Sequence, residues 1–547
     1  MTNQELAQYL FPDIKDVSYY EEKYRDRTLE EGAIVTRFAP SPTGSVHMGS
    51  LYQAFMANQM AKQSHGVFFL RIEDTDHKRE VENGAAAILR DLKDFDIVPS
   101  EGFSIGGEYG PYLQSERKEI YQSYIKSLIA RGLAYPCFCS AEEMDEVRKI
   151  QEATKERIGY YGRWATCRSL DNDEIRKRID AKEPYIIRLR SQGDFTKKHI
   201  YHDAIKGDVE YFENDMDIVI MKSDGLPTYH FAHAVDDHLM HTTHVIRGDE
   251  WLPSLPIHLE LFQLLGFQAP QYAHIAPVMK LDEETGNIRK LSKRKDPEAS
   301  VHYYQEMGIP VPAVKLYLAT IGNTNFEEWY LEHPEQSIDD FTFTFDKMPV
   351  SGTLFDVSKL ENIAKVYFSK RTAEQIYEET LAYSLQHDPS FALLLQKYQE
   401  KTIALLNIER GGDRPRKDIG AYPDVKKEFW YMYEELFDQK ENPYQEVQKN
   451  YHVEDLEEYI TTIYQKGKTQ EEWFQDIKDF AAVHGYATSR KDYKANPEAY
   501  KGQVSDFCEM IRVMITTQTI SPNLYDLMEL MDSDTLQKRL QLFQKAL

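Results

Sequence analysis

The sequence predicts a multidomain α/β protein: a parallel-sheet domain split by an insertion and followed by an all-α C-terminal domain. Three observations carry that prediction. Residues 33–95 run strand, turn, helix, strand, helix, the rhythm of a parallel sheet covered by helices. Between residues 133 and 215 the rhythm is lost, and charged, aromatic and cysteine-bearing segments replace it. Beyond about residue 345 strand signals are scarce and helical periodicity dominates. A chain of 547 residues has room for several domains of ordinary size, and 41% hydrophobic with 28% charged residues is ordinary globular composition.

Taken in order, AIVTRFA (33–39) is short and β-branched, ends in a Pro-rich turn, and reads as a buried strand. HMGSLYQAFMANQMAKQ (47–63) places Leu51, Phe55 and Met56 on one side of a helix. GVFFLRIED (66–74) reads as a second buried strand and ENGAAAILRDLKDF (82–95) as a second helix. Strand-like runs recur at 185–190, 217–222, 243–249 and 272–279, and helix-like ones at 372–386, 390–407 and 456–467. The expected organisation is a Rossmann-like catalytic domain in two halves, 1–132 and 216–345, interrupted by an insertion at 133–215 and followed by helices over 346–547.

The net charge of −25 speaks against a polyanionic partner when taken globally, because phosphate binding draws on Lys and Arg. GNIRKLSKRK (286–295) is the local exception, with five basic residues and no acidic one. No apolar run approaches membrane-spanning length, and MTNQELAQYLFPDIKD at the N-terminus lacks a basic flank before an apolar core, so the expected compartment is the cytoplasm. Four cysteines do not make a disulfide framework.

RFAPSPTGSVHMGS (37–50) crowds turn residues against a helix start. A helix entered in this way presents unpaired N–H groups and the positive end of its dipole, a seat for phosphate. Gly44 permits a tight turn, Gly49 clears room for a flat base, and His47 can donate to a phosphate oxygen. Alone, a His-x-Gly-Ser tetrapeptide is more often an ordinary capped helix. RKLSKRK (289–295) brings two lysines flanking a serine, suited to holding a leaving triphosphate, although a basic loop alone is more often solvated surface. Together on one α/β sheet the two stretches become specific.

RFAPSPTGSVHMGS resembles the first signature, and KLSKR the second, of class I aminoacyl-tRNA synthetases. RFAPSPTG, RIEDTD (71–76), TYHFAHAVDDHLM (228–240) and VIRGDEWLPS (245–254) are similar to bacterial-type glutamyl-tRNA synthetases, and RGGDRPRKDI (410–419) to the anticodon-binding half of that family. The resemblance spans roughly residue 30 to the C-terminus. It implies ATP-dependent activation of L-glutamate to glutamyl-adenylate and transfer to the 3′ end of tRNA(Glu), with Mg2+ accompanying ATP, no membrane partner and a monomeric enzyme. The chemistry requires no enzyme nucleophile, so the protein supplies positioning and charge stabilisation.

By the resemblance, His47, Lys290 and Lys293 would be catalytic, and with Gly49 and Ser292 they would bind ATP. Ser41 and Glu73 would hold the α-amino group of glutamate, and Arg37, Tyr229 and Arg247 its carboxylates, with Ala39 and His233 beside them. A structural ion pair is the bland alternative for Glu73 and Arg247. Arg37 has the best case for choosing glutamate over glutamine, since an amide returns less to a buried cation. Three positions depart from the family: Met48 replaces the usual Ile, Tyr52 stands where Arg is frequent, and His233 where some members carry Asn.

The insertion resembles the acceptor-stem-binding insertion of the family, in which many members hold zinc. Cys137, Cys139 and Cys167, with Tyr161 as fourth ligand, would bind Zn2+; a vestigial site of reduced thiols is the alternative. Arg410, Arg414, Arg416 and Lys417 would contact tRNA, against the reading of a plain solvated loop. Phe429, Trp430, Tyr431 and Tyr433 read as core rather than base-stacking platforms. Competing functions are an enzyme that also charges tRNA(Gln), a glutaminyl-tRNA synthetase, a small nucleotidylyltransferase and a non-catalytic tRNA-binding paralogue. APSPTG in place of PxPNG-like residues disfavours the second, chain length the third, and the intact His47, Lys290 and Lys293 the last.

Overall fold

A computed structural model of the chain describes residues 1–76, 81–292, 294–445 and 451–547. It divides into two compact units, Met1–Tyr303 with Lys315–Asp356, and Tyr304–Val314 with Val357–Leu547.

The first unit opens with α1 (Asn3–Leu10) and α2 (Val17–Lys23), which the sequence reading left unassigned. A capping box starts α1: Glu5 N–H donates to Thr2 Oγ1, and Thr2 N–H to the Glu5 carboxylate. β1 (Val35–Phe38), buried throughout, is followed by α3 (Met48–Gln63) and by β2 (Val67–Leu70), which pairs with β1 in parallel. α4 (Gly84–Asp94) then leads to the two-residue β3 (Glu101–Gly102), parallel to β2. After the insertion come α8 (Tyr229–Leu239), β9 (His244–Gly248), α9 (Leu255–Leu265) and β10 (Gln271–Ile275), with β9 and β10 paired in parallel. Between these points lie α5 (Lys118–Ala130), β4 (Ala134–Cys137), α6 (Ala141–Thr154), α7 (Asn172–Asp180), β5 (Ile186–Leu189), β6 (Lys198–Asp203), β7 (Gly207–Phe212) and β8 (Val219–Met221).

The two parallel groups meet at one seam. Thr243 N–H donates to the Val35 carbonyl at 3.0 Å, and Val35 N–H to Thr243 Oγ1 at 2.8 Å. The spatial order is therefore β3, β2, β1, β9, β10, and the chain leaves β1 toward β2 but arrives at β9 on its other side. In such doubly wound sheets ligands lie outside the carboxyl ends of the strands at that switch point. The two segments emerging there are the 39–47 turn after β1 and Gly248–Trp251 after β9.

The insertion contains an antiparallel sheet, β4-β5-β8, and a hairpin, β6–β7. Residues 217–222, expected in the second half of the parallel sheet, instead form β8 against β5; a three-residue apolar strand carries no mark of which sheet it joins. A third small sheet holds β11 (Val278–Leu281), β12 (Ile288–Lys290) and β13 (Thr353–Leu354). Because β13 pairs with β11, residues 346–356 belong to the first unit, past the boundary expected at 345.

In the second unit the helix expected over 390–407 is two helices, Pro389–Lys397 and Gln399–Asn407, parted at Tyr398. Phe429, Tyr431 and Tyr433 are fully buried in its core, with Trp430 packed against them, in line with their reading as core rather than stacking platforms. Among the described residues no helix is long and apolar enough to cross a membrane.

Candidate active site

The turn between β1 and α3 is buttressed by α4. Val46 N–H donates to the buried Asp91 carboxylate at 2.9 Å, and Val81 N–H to the Pro42 carbonyl at 3.0 Å. A Cβ on Gly84 would lie 2.5 Å from the Pro42 oxygen, so glycine is what lets α4 approach. His47 caps α3: its Nδ1 accepts from Ser50 N–H at 3.1 Å and its Nε2 lies 3.0 Å from Ser50 Oγ. A Cβ on Gly49 would meet the His47 ring at 3.1 Å, so the space that Gly49 clears is shared with the imidazole.

Two cavities open at the switch point. The first, about 190 Å³, is lined by His47, Gly49, Tyr52, Glu250 and Lys290 among others. The second, about 240 Å³, brings together Arg37, Ala39, Ser41, Glu73, Tyr229 and Arg247. His47, Ser50, Gln53 and Glu250 line both, so the imidazole stands where the cavities meet. Tyr52, for which the sequence offered no role, is 3% exposed and forms part of the first wall.

The floor of the second cavity is a buried ion network. Asp237 accepts from Arg37 Nε at 3.2 Å and from Arg71 Nη1 at 2.7 Å, and Arg71 Nη2 donates to Glu73 at 3.3 Å. Burial works against the Asp237 carboxylate, but Arg37 and Arg71 hold its pKa well below the ordinary range. Glu73 goes the other way: burial outweighs Arg71 and Arg37 and raises it to about 7. Tyr229 stacks obliquely on Trp251 at 4.4 Å, and burial pushes its hydroxyl up to about 12.

His233 is a correction. It is fully buried and does not line the cavity; its Nδ1 lies 2.8 Å from Asp237, and its Nε2 lies 2.8 Å from Tyr272 Oη. Burial lowers it to about 3, so it is neutral, with its Nδ1–H given to Asp237 and Nε2 accepting from Tyr272. Both nitrogens are engaged within the protein, which places His233 behind the wall rather than on a substrate.

Arg247 is held differently from Arg37. Its Nε donates to His274 Nε2 and its Nη1 to His258 Nδ1, both at 2.9 Å, and its guanidinium lies 4.4 Å from the Tyr272 ring centre. His274 Nδ1 lies 2.6 Å from Asp203, and His258 Nε2 lies 2.9 Å from His230 Nδ1. Among the described residues no carboxylate pairs with Arg247. Sequence reasoning missed His258, His274 and Asp203, each a single residue on a different element with no local pattern to find it, and Glu250, which lies inside VIRGDEWLPS three residues past Arg247.

Lys290 ends β12, lines the first cavity and lies 3.5 Å from Glu250. Ser292 shapes its loop through the backbone, its N–H donating to Asp296 at 2.8 Å. Arg289 also donates to Asp296, at 2.6 and 2.8 Å, so this cation is already neutralised. Lys293 lies outside the described residues.

In the insertion, Cys137, Cys139 and Cys167 come together with their sulfurs within 4.8 Å of one another. Tyr161 is a correction: its hydroxyl donates to the Arg157 carbonyl at 2.8 Å, while Tyr160 Oη lies 3.5 Å from Cys137 Sγ and 3.4 Å from Cys139 Sγ. Adjacent residues of an extended segment point opposite ways, and the buried one faces the thiols. In the second unit Arg410 is a correction too. It is 8% exposed, with Nε and Nη1 donating to the Leu406 and Phe368 carbonyls at 2.7 Å, while Arg414 and Lys417 are exposed. Arg416 is half-buried, bound to the Ile408 carbonyl and to Asp418.

Residues 33–362 match the family model described as tRNA synthetases class I (E and Q), catalytic domain. The chain is 44% identical to a glutamate–tRNA ligase of Clostridium beijerinckii and 44% identical to one of Acetivibrio thermocellus, covering 99% of this chain and 100% of each relative. Its fold is similar to the crystal structure of a glutamate–tRNA synthetase from Elizabethkingia anophelis, with TM-score 0.75 and 27% identity over 94% of this chain and 99% of that one. The family match spans the parallel sheet and both cavities, and the chain belongs to the class I tRNA synthetases of the glutamate and glutamine group.

Proposed function

We infer that the protein is a glutamate–tRNA ligase, which joins L-glutamate to ATP as glutamyl-adenylate and passes the glutamyl group to the 3′ end of tRNA(Glu). One observation carries the reading: a cavity walled by the Arg37 and Arg247 guanidiniums and the Glu73 carboxylate, with Glu250 at its mouth shared with the neighbouring cavity, opens at His47 onto a second cavity walled by a helix start and Lys290. The two carboxylates of glutamate suit the two guanidiniums and its ammonium suits Glu73, while Glu250 lies 3.5 Å from Lys290 on the side to which ATP brings its triphosphate.

In the proposed mechanism Ser41 and Glu73 take the ammonium, and Arg37, Tyr229 and Arg247 take the carboxylates. Arg247, rather than Arg37, makes the choice against glutamine, because Arg37 already faces Asp237. His47 and the α3 N-terminus receive the phosphates, and Lys290 and Lys293 meet the charge that builds as pyrophosphate departs. Ser292 holds the loop, and Gly49 leaves the nucleotide wall open. Mg2+ travels with ATP as part of that substrate. Arg414 and Lys417 are the cations placed to meet tRNA phosphates, and the 133–215 insertion is the expected acceptor-stem contact. The protein works as a monomer in the cytoplasm.

The thiol cluster fits zinc. Tetrahedral Zn–S bonds of about 2.3 Å put sulfurs roughly 3.8 Å apart, close to the 3.6 Å between Cys139 and Cys167. Arg188 Nε and Phe138 N–H point at Cys137 and Cys167 sulfurs at 3.3 and 3.5 Å, donors that favour thiolates. Cys137, Cys139, Cys167 and Tyr160 would hold the ion, which when bound cross-links the insertion. Elemental analysis of chelator-free protein tests it, with one zinc per chain expected.

The functional test is pyrophosphate release and tRNA charging by purified protein with ATP and tRNA, using glutamate and glutamine side by side. Release with glutamine alone would overturn the assignment. Charging of purified tRNA(Gln) with glutamate would identify the broader, non-discriminating enzyme.

A further inference from the structure

We propose that His274, fixed by Asp203, and His258 are positioning residues that aim the Arg247 guanidinium at a substrate carboxylate while leaving its charge uncompensated. The proposal deepens the reading of the second cavity as a glutamate pocket and rests on it.

The protons can be placed from the hydrogen bonds. Arg247 Nε is always a donor, so His274 Nε2 accepts at 2.9 Å and the His274 proton sits on Nδ1. That Nδ1–H faces Asp203 Oδ2 at 2.6 Å. Asp203 takes the His274 backbone N–H as well, at 3.2 Å, and is itself held by the N–H groups of Ile205 and Lys206 at 3.0 and 2.9 Å. On the other nitrogen, Arg247 Nη1 donates to His258 Nδ1, which puts the His258 proton on Nε2, toward His230 Nδ1. Asp203, His258 and His274 are all fully buried, so neither ring can swing into water. Burial keeps His258 and His274 neutral, pushing both below the ordinary imidazole value.

Neutral imidazoles do for Arg247 what a carboxylate cannot. They accept its N–H groups, and so fix its plane, without cancelling its charge. The Tyr272 face at 4.4 Å completes the clamp from the side. Arg37 provides the contrast, paired directly with Asp237 at 3.2 Å. A buried cation with no carboxylate partner is costly until one arrives, and the substrate carboxylate supplies it. A glutamine amide would leave that charge unanswered. Asp203 ends β6 of the insertion hairpin, so the hairpin is tied to the aim of this one guanidinium.

The test measures glutamate and ATP KM, kcat and glutamine discrimination in full-length variants with ATP and tRNA(Glu). His274→Ala should raise the glutamate KM by about tenfold to hundredfold, with the ATP KM within about twofold of the unmodified protein. His274→Gln, whose amide can accept from Arg247 and donate to Asp203, should restore most of that loss. His274→Glu keeps an acceptor but adds a carboxylate, and should reduce the preference for glutamate over glutamine as well as affinity. Asp203→Ala should act like a weaker His274→Ala. Should His274→Ala fail to fold, His258→Asn against His258→Ala puts the same question at the other nitrogen. An unchanged glutamate KM in the alanine variants, a glutamine variant as impaired as alanine, or an equal rise in the ATP KM would overturn the proposal. Inactivity of the unmodified protein toward glutamate would instead overturn the assignment of the pocket itself.

Discussion

The two cationic loops of the chain, 289–296 and 410–418, look alike in sequence and differ in how their charge is used. In the first, Arg289 is bound by Asp282 at 2.7 Å and by Asp296, which leaves Lys290 exposed at the cavity edge. In the second, Arg410 is buried against backbone carbonyls, and Arg414 and Lys417 remain exposed. The first loop uses Arg289 to build itself and leaves Lys290 exposed; the second uses Arg410 and Arg416 and leaves Arg414 and Lys417 exposed. The partners set the character of each: carboxylates make the first loop an ion-paired hairpin, while carbonyls make Arg410 a wedge at the ends of helices. A count of basic residues measures neither; the available charge is what the local partners leave over.

That contrast can be broken, most sharply at Lys290. Lys290→Ala should lower adenylate formation by about 10²–10³-fold in a pyrophosphate-exchange assay, with thermal unfolding unchanged; a loss below threefold would return Lys290 to ordinary surface. Arg410→Ala should do the opposite, costing about 2–3 kcal/mol of stability by leaving buried carbonyls unpaired, with the tRNA KM unchanged where the protein is folded. Urea titration reads the first and charging kinetics the second.

Glu73 tests the same distinction with a carboxylate. The form that can hold an ammonium is the ionised one, and burial raises this group to about 7. Lowering the pH through that value protonates it, so kcat/KM for glutamate should fall about tenfold per pH unit below it, and Glu73→Gln should be weak but flat over that window. The smallest effect belongs to the tRNA loop. Arg414→Ala with Lys417→Ala should raise the tRNA KM severalfold and reduce the salt slope of binding by roughly two phosphate contacts, leaving glutamate and ATP KM untouched.

Much of the catalytic half was legible because its signals are contiguous. β1, α3 and β2 follow one another with strand and helix periods intact, and the 37–50 turn sits between them. The hairpin β6–β7 was invisible because its residues are largely exposed and mixed in character, and the N-terminal helices are short. In the candidate site, Arg37, Glu73, Tyr229 and Arg247 lie inside signature stretches and line one cavity, whereas Asp203, His258 and His274 lie on β6, α9 and β10 and meet only in the folded chain. Tyr160 and Tyr161 show a finer limit: neighbours in sequence face opposite sides, and the one named as fourth ligand faces away from the thiols.

The seam at Thr243 and Val35 makes the sheet a caliper. One jaw is β1, carrying Arg37, and the other is β9, carrying Arg247; the Thr243 N–H bond to the Val35 carbonyl at 3.0 Å and the Val35 N–H bond to the Thr243 hydroxyl at 2.8 Å set the gap between them. With Arg37 and Arg247 as the carboxylate contacts, length as well as charge is gauged. On the proposed reading of the pocket, aspartate, one methylene shorter, should engage only one of the two guanidiniums and be activated far more weakly than glutamate.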